Sequence, residues 1–84
     1  MIDLRGKSAV VTGGATGIGL AIAHALTCAG ARIAVADLDQ AGAERAAADL
    51  GGGAVGIAID VRQRASVEAG FATIVERLGG YQIL

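Results

Sequence analysis

A glycine-rich segment between a β-branched run and an apolar helical repeat constrains the fold of this chain most strongly. Residues 8–12 predict a short buried strand, and Gly13, Gly17 and Gly19 follow it directly. Apolar residues then recur at helical spacing as far as Gly30, a suitable residue just past a helix end. They are Ile18, Ile22, Ala25, Leu26 and Ala29. A strand that turns through glycine into a helix predicts the start of a β-α unit.

The following residues repeat this alternation of strand and helix. A second strand is predicted over residues 32–36 and ends at Asp37. Asp39 then suits the cap of a helix of good helix formers that runs to about Leu50. After a run of three glycines, residues 54–59 predict a third strand.

A third helix and the opening of a fourth strand complete the pattern. The helix is predicted from a single apolar face, and Gly79 with Gly80 ends it. That face consists of Val67, Phe71, Ile74, Val75 and Leu78. Residues 81–84 (Tyr-Gln-Ile-Leu) are interpreted as the beginning of strand four.

This order of elements predicts an α/β fold of the Rossmann type, a doubly wound parallel sheet with helices on both faces. Right-handed crossovers place the first two helices on one face of the sheet and the third helix on the other. Residues 1–84 are expected to form one partial dinucleotide-binding domain, cut at the start of strand four. Such a piece would leave the first strand at an open sheet edge, so we expect it to be marginally stable and prone to associate.

Composition narrows the partners and the compartment. Seven Lys and Arg against eight Asp and Glu give a net charge of −1, which argues against nucleic acid as a partner. Cys28 is the single cysteine, so no disulfide framework is predicted. The charged residues within positions 1–7 do not suit a signal peptide, and the apolar runs are too short to span a membrane. A cytoplasmic protein without a membrane partner is expected.

The glycine segment predicts a phosphate-binding turn. Gly13 would permit the tight turn after the strand, Gly17 the close approach of backbone to a phosphate, and Gly19 the packing of the helix on the sheet. Backbone N–H groups and the helix dipole would then favour a pyrophosphate. The alternative is a glycine turn that is merely flexible.

Asp37 predicts the identity of the bound dinucleotide. It ends strand two about 20 residues after the glycine segment, where a carboxylate accepts hydrogen bonds from the hydroxyl groups of an adenosine ribose. A 2′-phosphate about 4 Å away would be repelled by ~4 kcal/mol at an effective dielectric constant of ~20, which favours NAD over NADP. Neither Thr16 nor Leu38 supplies the cation that NADP would favour. The alternative for Asp37 is a turn residue before the Asp39 cap.

Asp60 and Val61 follow strand three at the same edge of the predicted sheet. The Asp60 carboxylate could accept a hydrogen bond from an adenine amino group, and the Val61 backbone N–H could donate to the ring. On spacing alone, an Asp at the entry to a helix is an equally good interpretation.

The chain resembles the short-chain dehydrogenase/reductase family. Residues 12–19 (Thr-Gly-Gly-Ala-Thr-Gly-Ile-Gly) match its TGxxxGIG signature, and the resemblance covers essentially all 84 residues. It implies NAD as the cofactor, a carbonyl compound or secondary alcohol as the substrate of the complete enzyme, and a homodimer or homotetramer. The implied cofactor-binding residues are Gly13, Thr16, Gly17, Ile18 and Gly19 at the phosphates and adjoining ribose, Asp37 and Leu38 at the adenosine ribose, and Asp60 and Val61 at the adenine.

The chain departs from that family in lacking its catalytic residues. The family's chemistry depends on an Asn-Asn-Ala-Gly segment, a Ser and a Tyr-x-x-x-Lys motif, and this sequence contains no Asn. Tyr81 has no Lys four residues later, so no catalytic role is assigned. The favoured prediction is the cofactor-binding part of an NAD-dependent oxidoreductase that transfers hydride between nicotinamide and a carbonyl or secondary alcohol. The alternative is a non-catalytic module that binds an adenine nucleotide or a partner protein.

Two further clusters are not interpreted as sites. His24 and Cys28 have metal-ligand spacing on a helix, but two ligands do not complete a zinc site. Arg62 and Arg64 are interpreted as a solvated helix start.

Overall fold

The computed structural model describes residues 3–81, and in this part of the chain three parallel strands form one sheet flanked by three helices. The strands lie side by side in the order β1-β2-β3, with Ser8 opposite Arg32 and Ala34 opposite Val55. The elements are β1 (Ser8–Thr12), α1 (Gly17–Cys28), β2 (Arg32–Asp37), α2 (Gln40–Leu50), β3 (Val55–Ala58) and α3 (Arg64–Leu78).

The two faces of the sheet carry two separate hydrophobic clusters. Val11 and Val35 point toward α1 and α2, whereas Val10 and Ala34 point toward α3. Strand β2 lies between the other two strands, and its central side chains are at most 1 % exposed, which explains its unbroken apolar sequence. The predicted Rossmann-type architecture is confirmed, with α1 and α2 on one face and α3 on the other.

Glycine permits the helices to lie close to β3. A Cβ added at Gly56 would stand 2.5 Å from the backbone carbonyl of Ala43 in α2. On the opposite face, a Cβ added at Gly70 of α3 would overlap the side chain of Ile59. These contacts fix α2 and α3 against the strand whose end carries Asp60.

The apolar repeat that predicts α1 coincides only in part with the face that the helix turns to the sheet. Its predicted apolar stripe includes Ile18 and Ile22, which are 81 % and 49 % exposed, whereas the buried residue of α1 is Ala23. Leu20 and Leu26 pack partly against the core. Helical spacing reveals that an apolar stripe exists, but a helix this rich in Ala and Leu offers more than one stripe that fits the sheet.

Three further details of the sequence prediction differ from the structure. The prediction that Val75 belongs to the buried face of α3 is wrong, because its side chain is 48 % exposed. Asp39 occupies the N-cap position of α2, but its side chain makes no capping hydrogen bond. The fourth strand was predicted over residues 81–84, of which residues 82–84 lie outside the described part of the chain. Tyr81 belongs to no strand, and the centroid of its ring lies 5.4 Å from that of Phe71. No helix within residues 3–81 is long and apolar enough to cross a membrane.

Candidate functional site

The loop after β1 has the conformation that its glycines predict. Gly13 and Gly17 adopt positive φ angles of 66° and 58°, a region that residues with a Cβ rarely enter. The Gly13 N–H donates to the carbonyl of Ala36 at 2.7 Å, so the loop begins as a continuation of the β1–β2 ladder. The chain then turns sharply away from the sheet into α1.

Gly19 is required by the loop itself. A Cβ at this position would overlap the carbonyl oxygen of Gly13 and lie 3.1 Å from the Cα of Gly14. The first turn of α1 therefore packs directly on the backbone that leaves β1. The expected contact was with the sheet, and the contact found is with the loop at the end of its first strand.

The amino terminus of α1 presents free donor groups. The first helical hydrogen bond runs from the Leu20 N–H to the Thr16 carbonyl at 3.3 Å, so the N–H groups of residues 17–19 precede the helical ladder. Thr16 is the N-cap in extended conformation, its side chain makes no capping hydrogen bond, and the first turn contains no acidic residue. Donors and helix dipole together suit an anion here.

Asp37 joins the glycine loop to the ends of the neighbouring strands. Its Oδ2 accepts a hydrogen bond from the Ala15 N–H at 3.2 Å, and its Oδ1 accepts one from the Asp39 N–H at 3.2 Å. Its backbone carbonyl accepts from the Ile59 N–H at 2.9 Å. The carboxylate is half-buried beside the loop, and each oxygen keeps acceptor capacity for a further donor such as a ribose hydroxyl.

Asp60 lies at the end of the adjacent strand and is held by Arg62. The Asp60 Oδ1 accepts from the Arg62 backbone N–H and Nε, both at 3.0 Å, and Oδ2 accepts from Nη2 at 3.1 Å. These hydrogen bonds, led by those from the Arg62 side chain, lower the pKa of Asp60 below its usual range and raise that of Arg62. The Arg62 side chain is exposed, as expected of a solvated residue, and it also hydrogen-bonds Asp60.

Three exposed apolar side chains stand along the same edge of the sheet. Ile18 follows β1, Leu38 follows β2 and Val61 follows β3, and their exposures are 81 %, 62 % and 69 %. Large apolar side chains exposed to this extent at the carboxyl ends of parallel strands suit the flat faces of a bound nucleotide. All nine residues implied by the resemblance thus lie in the loops at this edge or at their junctions with α1 and β2.

The structure adds residues that the sequence did not reveal. The Ala15 N–H contacts Asp37, and the Arg45 Nη2 lies 4.0 Å from the Asp39 Oδ2. Thr16 and Arg45 also line a groove of about 550 Å³ between α1 and α2, so a cation does lie near this edge. The Ala15–Asp37 contact leaves no signal in the sequence, because it depends on how the glycine loop packs beside the end of β2.

No metal site is evident in the described part of the chain. Across residues 3–81, no three His, Cys, Asp or Glu side chains are grouped so that they could hold an ion. His24 and Cys28 are both exposed on α1.

Comparison with known proteins assigns the chain to a family. The sequence profile described as short chain dehydrogenase matches residues 7–84, and the chain belongs to this family. Among curated proteins, it is 51 % identical over 84 residues to D-threitol dehydrogenase of Mycolicibacterium smegmatis and 43 % identical over 81 residues to sorbitol dehydrogenase of Cereibacter sphaeroides. Each match covers 96 % of this chain and 32 % of the relative.

A solved structure supports the same assignment. The chain superimposes with a TM-score of 0.90 and 34 % identity on 3-ketoacyl-(acyl-carrier-protein) reductase from Brucella melitensis, a crystal structure complexed with NADH. The match covers 94 % of this chain and 33 % of the reductase. The chain therefore spans about a third of the length of the proteins it matches.

Proposed function

We propose that this chain is the NAD-binding part of an oxidoreductase that interconverts a secondary alcohol and a carbonyl compound. The observation that carries the proposal is the hydrogen bond between the Asp37 carboxylate and the Ala15 N–H at 3.2 Å. It holds the acid that would bind the ribose directly beside the turn that would bind the phosphates. Family membership and the NADH carried by the Brucella reductase point to the same cofactor.

Each part of the cofactor has a matching group on this edge. The N–H groups of residues 17–19 would hold the pyrophosphate, with Gly13 and Thr16 shaping the turn around it. Asp37 would accept hydrogen bonds from the adenosine ribose. When bound, NAD supplies the hydride acceptor, and the residues of this chain hold and orient it.

The adenine would lie between the ends of β2 and β3. Leu38 and Val61 offer exposed apolar surface, the Val61 backbone N–H can donate to a ring nitrogen, and the Asp60 carboxylate can accept from the amino group. Ile18, which is exposed at the start of α1, would contact the ribose and phosphates from the side of β1.

NAD is proposed over NADP because of the charge at Asp37. A 2′-phosphate would have to approach a carboxylate whose oxygens already face the Ala15 and Asp39 amides. Arg45 lines the groove beside the glycine loop and could offset that charge, but its guanidinium faces Asp39. The attraction of a 2′-phosphate to Arg45 should therefore be weaker than its repulsion by the Asp37 carboxylate.

The reaction itself would be completed by residues outside this chain. The relatives are about three times as long, and this chain contains no Asn and no Tyr-x-x-x-Lys motif. We propose that the complete protein is a homo-oligomer in a reducing compartment such as the cytoplasm, to which a single cysteine is suited. Because relatives are named for sorbitol and D-threitol, sugar alcohols are the first substrates to test.

Oxidation of alcohols by the full-length protein tests this function. The protein is incubated with NAD and a panel of sugar alcohols and other secondary alcohols, and formation of NADH is followed by absorbance. Turnover of at least one alcohol with NAD is expected. NAD binding without turnover of any alcohol or carbonyl compound would favour a non-catalytic nucleotide-binding module, and absence of binding would exclude both functions.

A further inference from the structure

The side chain of Arg62 clamps the Asp60 carboxylate in one orientation. Its Nε donates to Oδ1 at 3.0 Å and its Nη2 to Oδ2 at 3.1 Å, so the planar guanidinium engages both oxygens. This two-point geometry fixes the plane of the carboxylate as well as its position. The Asp60 side chain is 21 % exposed and that of Arg62 is 75 % exposed, so the pair lies at the surface of the sheet edge.

The backbone of Asp60 is fixed independently of the Arg62 side chain. Its N–H donates to the Ser66 Oγ at 2.8 Å, and its carbonyl accepts from the Gln63 N–H at 3.0 Å. The Arg62 backbone N–H also donates to Oδ1 at 3.0 Å. Removal of the Arg62 side chain should therefore leave the turn intact, because the Asp60 Oδ1 keeps the hydrogen bond from the Arg62 backbone N–H, while the guanidinium contacts that fix the plane of the carboxylate are lost.

Arg62 also offsets the negative charge of the acidic side chains at the carboxyl edge of the sheet. Asp37, Asp39 and Asp60 all stand at the carboxyl edge of the sheet, and a bound pyrophosphate would add further negative charge. Arg45 lies 4.0 Å from Asp39, whereas Arg62 hydrogen-bonds Asp60. A carboxylate paired in this way can accept a hydrogen bond from a ligand at a lower electrostatic cost to the anionic cofactor.

We propose that Arg62 is a positioning residue that aims the Asp60 carboxylate at the 6-amino group of the adenine and thereby sets the preference for adenine over hypoxanthine. The inference rests on the proposed function, because it takes the adenine of NAD to lie beside Asp60. Hypoxanthine carries an oxygen in place of the amino group, and an acceptor facing the oriented carboxylate is repelled.

Binding of two dinucleotides to the full-length protein tests the proposal. Dissociation constants for NAD and nicotinamide hypoxanthine dinucleotide are measured by calorimetry for the unmodified protein and for R62A, R62K and R64A. Arg64 is a matched control, because it is an exposed arginine at the start of α3 that makes no hydrogen bond with Asp60 within the described residues.

The preference for NAD over nicotinamide hypoxanthine dinucleotide, measured as the ratio of their dissociation constants, is expected to fall about tenfold in R62A and to persist in R64A. R62K should resemble R62A, since a lysine keeps the charge but cannot engage both oxygens in a fixed plane. In steady-state kinetics, R62A should raise the KM for NAD and leave kcat at saturating NAD unchanged, because Asp60 lies far along the cofactor from the nicotinamide.

Two results would overturn this inference without contradicting the proposed function. One is a preference for NAD in R62A as large as that of the unmodified protein. The other is an equally large preference in R62K, which would reduce the role of Arg62 to its charge. An unmodified protein that binds neither dinucleotide would instead contradict the proposed function. The two failures are therefore distinguishable.

Discussion

The Asp37 carboxylate accepts one backbone N–H on each oxygen, from Ala15 and from Asp39. Its replacement by alanine removes the negative charge and leaves both N–H groups open to another anion, such as a 2′-phosphate. We expect D37A to narrow the preference of the full-length protein for NAD over NADP by at least about tenfold. E76A is a suitable control, because Glu76 is an exposed acid near the carboxyl end of α3, which packs on the opposite face of the sheet from α1 and α2. Equal use of both cofactors by the unmodified protein would refute the assignment of Asp37.

The Asp60–Arg62 pair predicts a specific dependence on pH. Because the hydrogen bonds from Arg62 lower the pKa of Asp60, the ionised carboxylate stabilises the folded state at pH values above its unfolded pKa of about 3.9. This contribution is lost as the pH falls through the lowered pKa of the folded state. In R62A, the pKa of Asp60 should rise toward its ordinary value, as measured by titrating the side-chain carboxyl carbon with NMR. An unchanged pKa would show that the side chain of Arg62 does not hold the carboxylate.

Sequence reasoning located the acids of the site but not their partners. Asp37 and Asp60 were predictable because both end parallel strands, and parallel strands bring their carboxyl ends to one edge. The Ala15 N–H was not predictable as the partner of Asp37, because that contact joins a loop to the end of a strand 22 residues later. Arg62 was interpreted with Arg64 as a solvated helix start, and its side chain is 75 % exposed. Its hydrogen bonds to Asp60 could not be predicted, because only the local turn brings the guanidinium back to the carboxylate.

At the scale of single elements, the junction of loop and helix at Gly19 is the most sensitive point of the site. A Cβ there would overlap the Gly13 carbonyl, and neither backbone segment can move without shifting the start of α1. We expect G19A to weaken NAD binding strongly and to lower the free energy of unfolding by about 1–3 kcal/mol. Calorimetric titration and chemical denaturation of the full-length protein measure the two effects.

Gly42 in α2 offers a matched glycine-to-alanine control. The nearest atom to its added Cβ is the Asp39 Oδ2 at 2.6 Å, which is the mobile end of an exposed side chain. G42A should therefore keep NAD binding, and the greater helix propensity of alanine, worth up to about 1 kcal/mol, should offset any rearrangement of Asp39. Equal binding losses in G19A and G42A would show that the close contact at Gly19 has no special role.

The elements themselves were largely predictable, and their orientations were less so. Glycines at 30 and 79 marked the ends of α1 and α3, where both adopt positive φ angles. The apolar repeat of α1 predicts the helix but not its buried face, because Ile18 and Ile22 satisfy helical periodicity yet remain exposed beside the buried Ala23. Periodicity measures the spacing of apolar residues, whereas packing also depends on how closely a small side chain lets the helix approach.

At the scale of the whole molecule, neither edge of the sheet pairs with a further strand within residues 3–81. The β3 edge is partly covered, because the Gln40 Oε1 accepts the Ala58 N–H at 3.2 Å. No strand of the described part covers the outer side of β1, and the apolar Ile18 and Ile22 are exposed on the neighbouring α1. Open strand edges and exposed apolar surface promote association.

The 84-residue chain expressed alone is therefore expected to be marginally stable and to associate as its concentration rises. Analytical ultracentrifugation over a range of concentrations, together with thermal unfolding followed by circular dichroism, measures both properties. A monomer at all concentrations that unfolds in one sharp transition would contradict this expectation.

Titration of the full-length protein with NAD and with NADP in a calorimeter tests the function most directly. The carboxyl edge described above, with its unpaired amides and its half-buried acid, should yield saturable heat with NAD and much weaker heat with NADP. A protein that folds correctly but gives no heat of binding with NAD would contradict the assignment of this edge as a dinucleotide site.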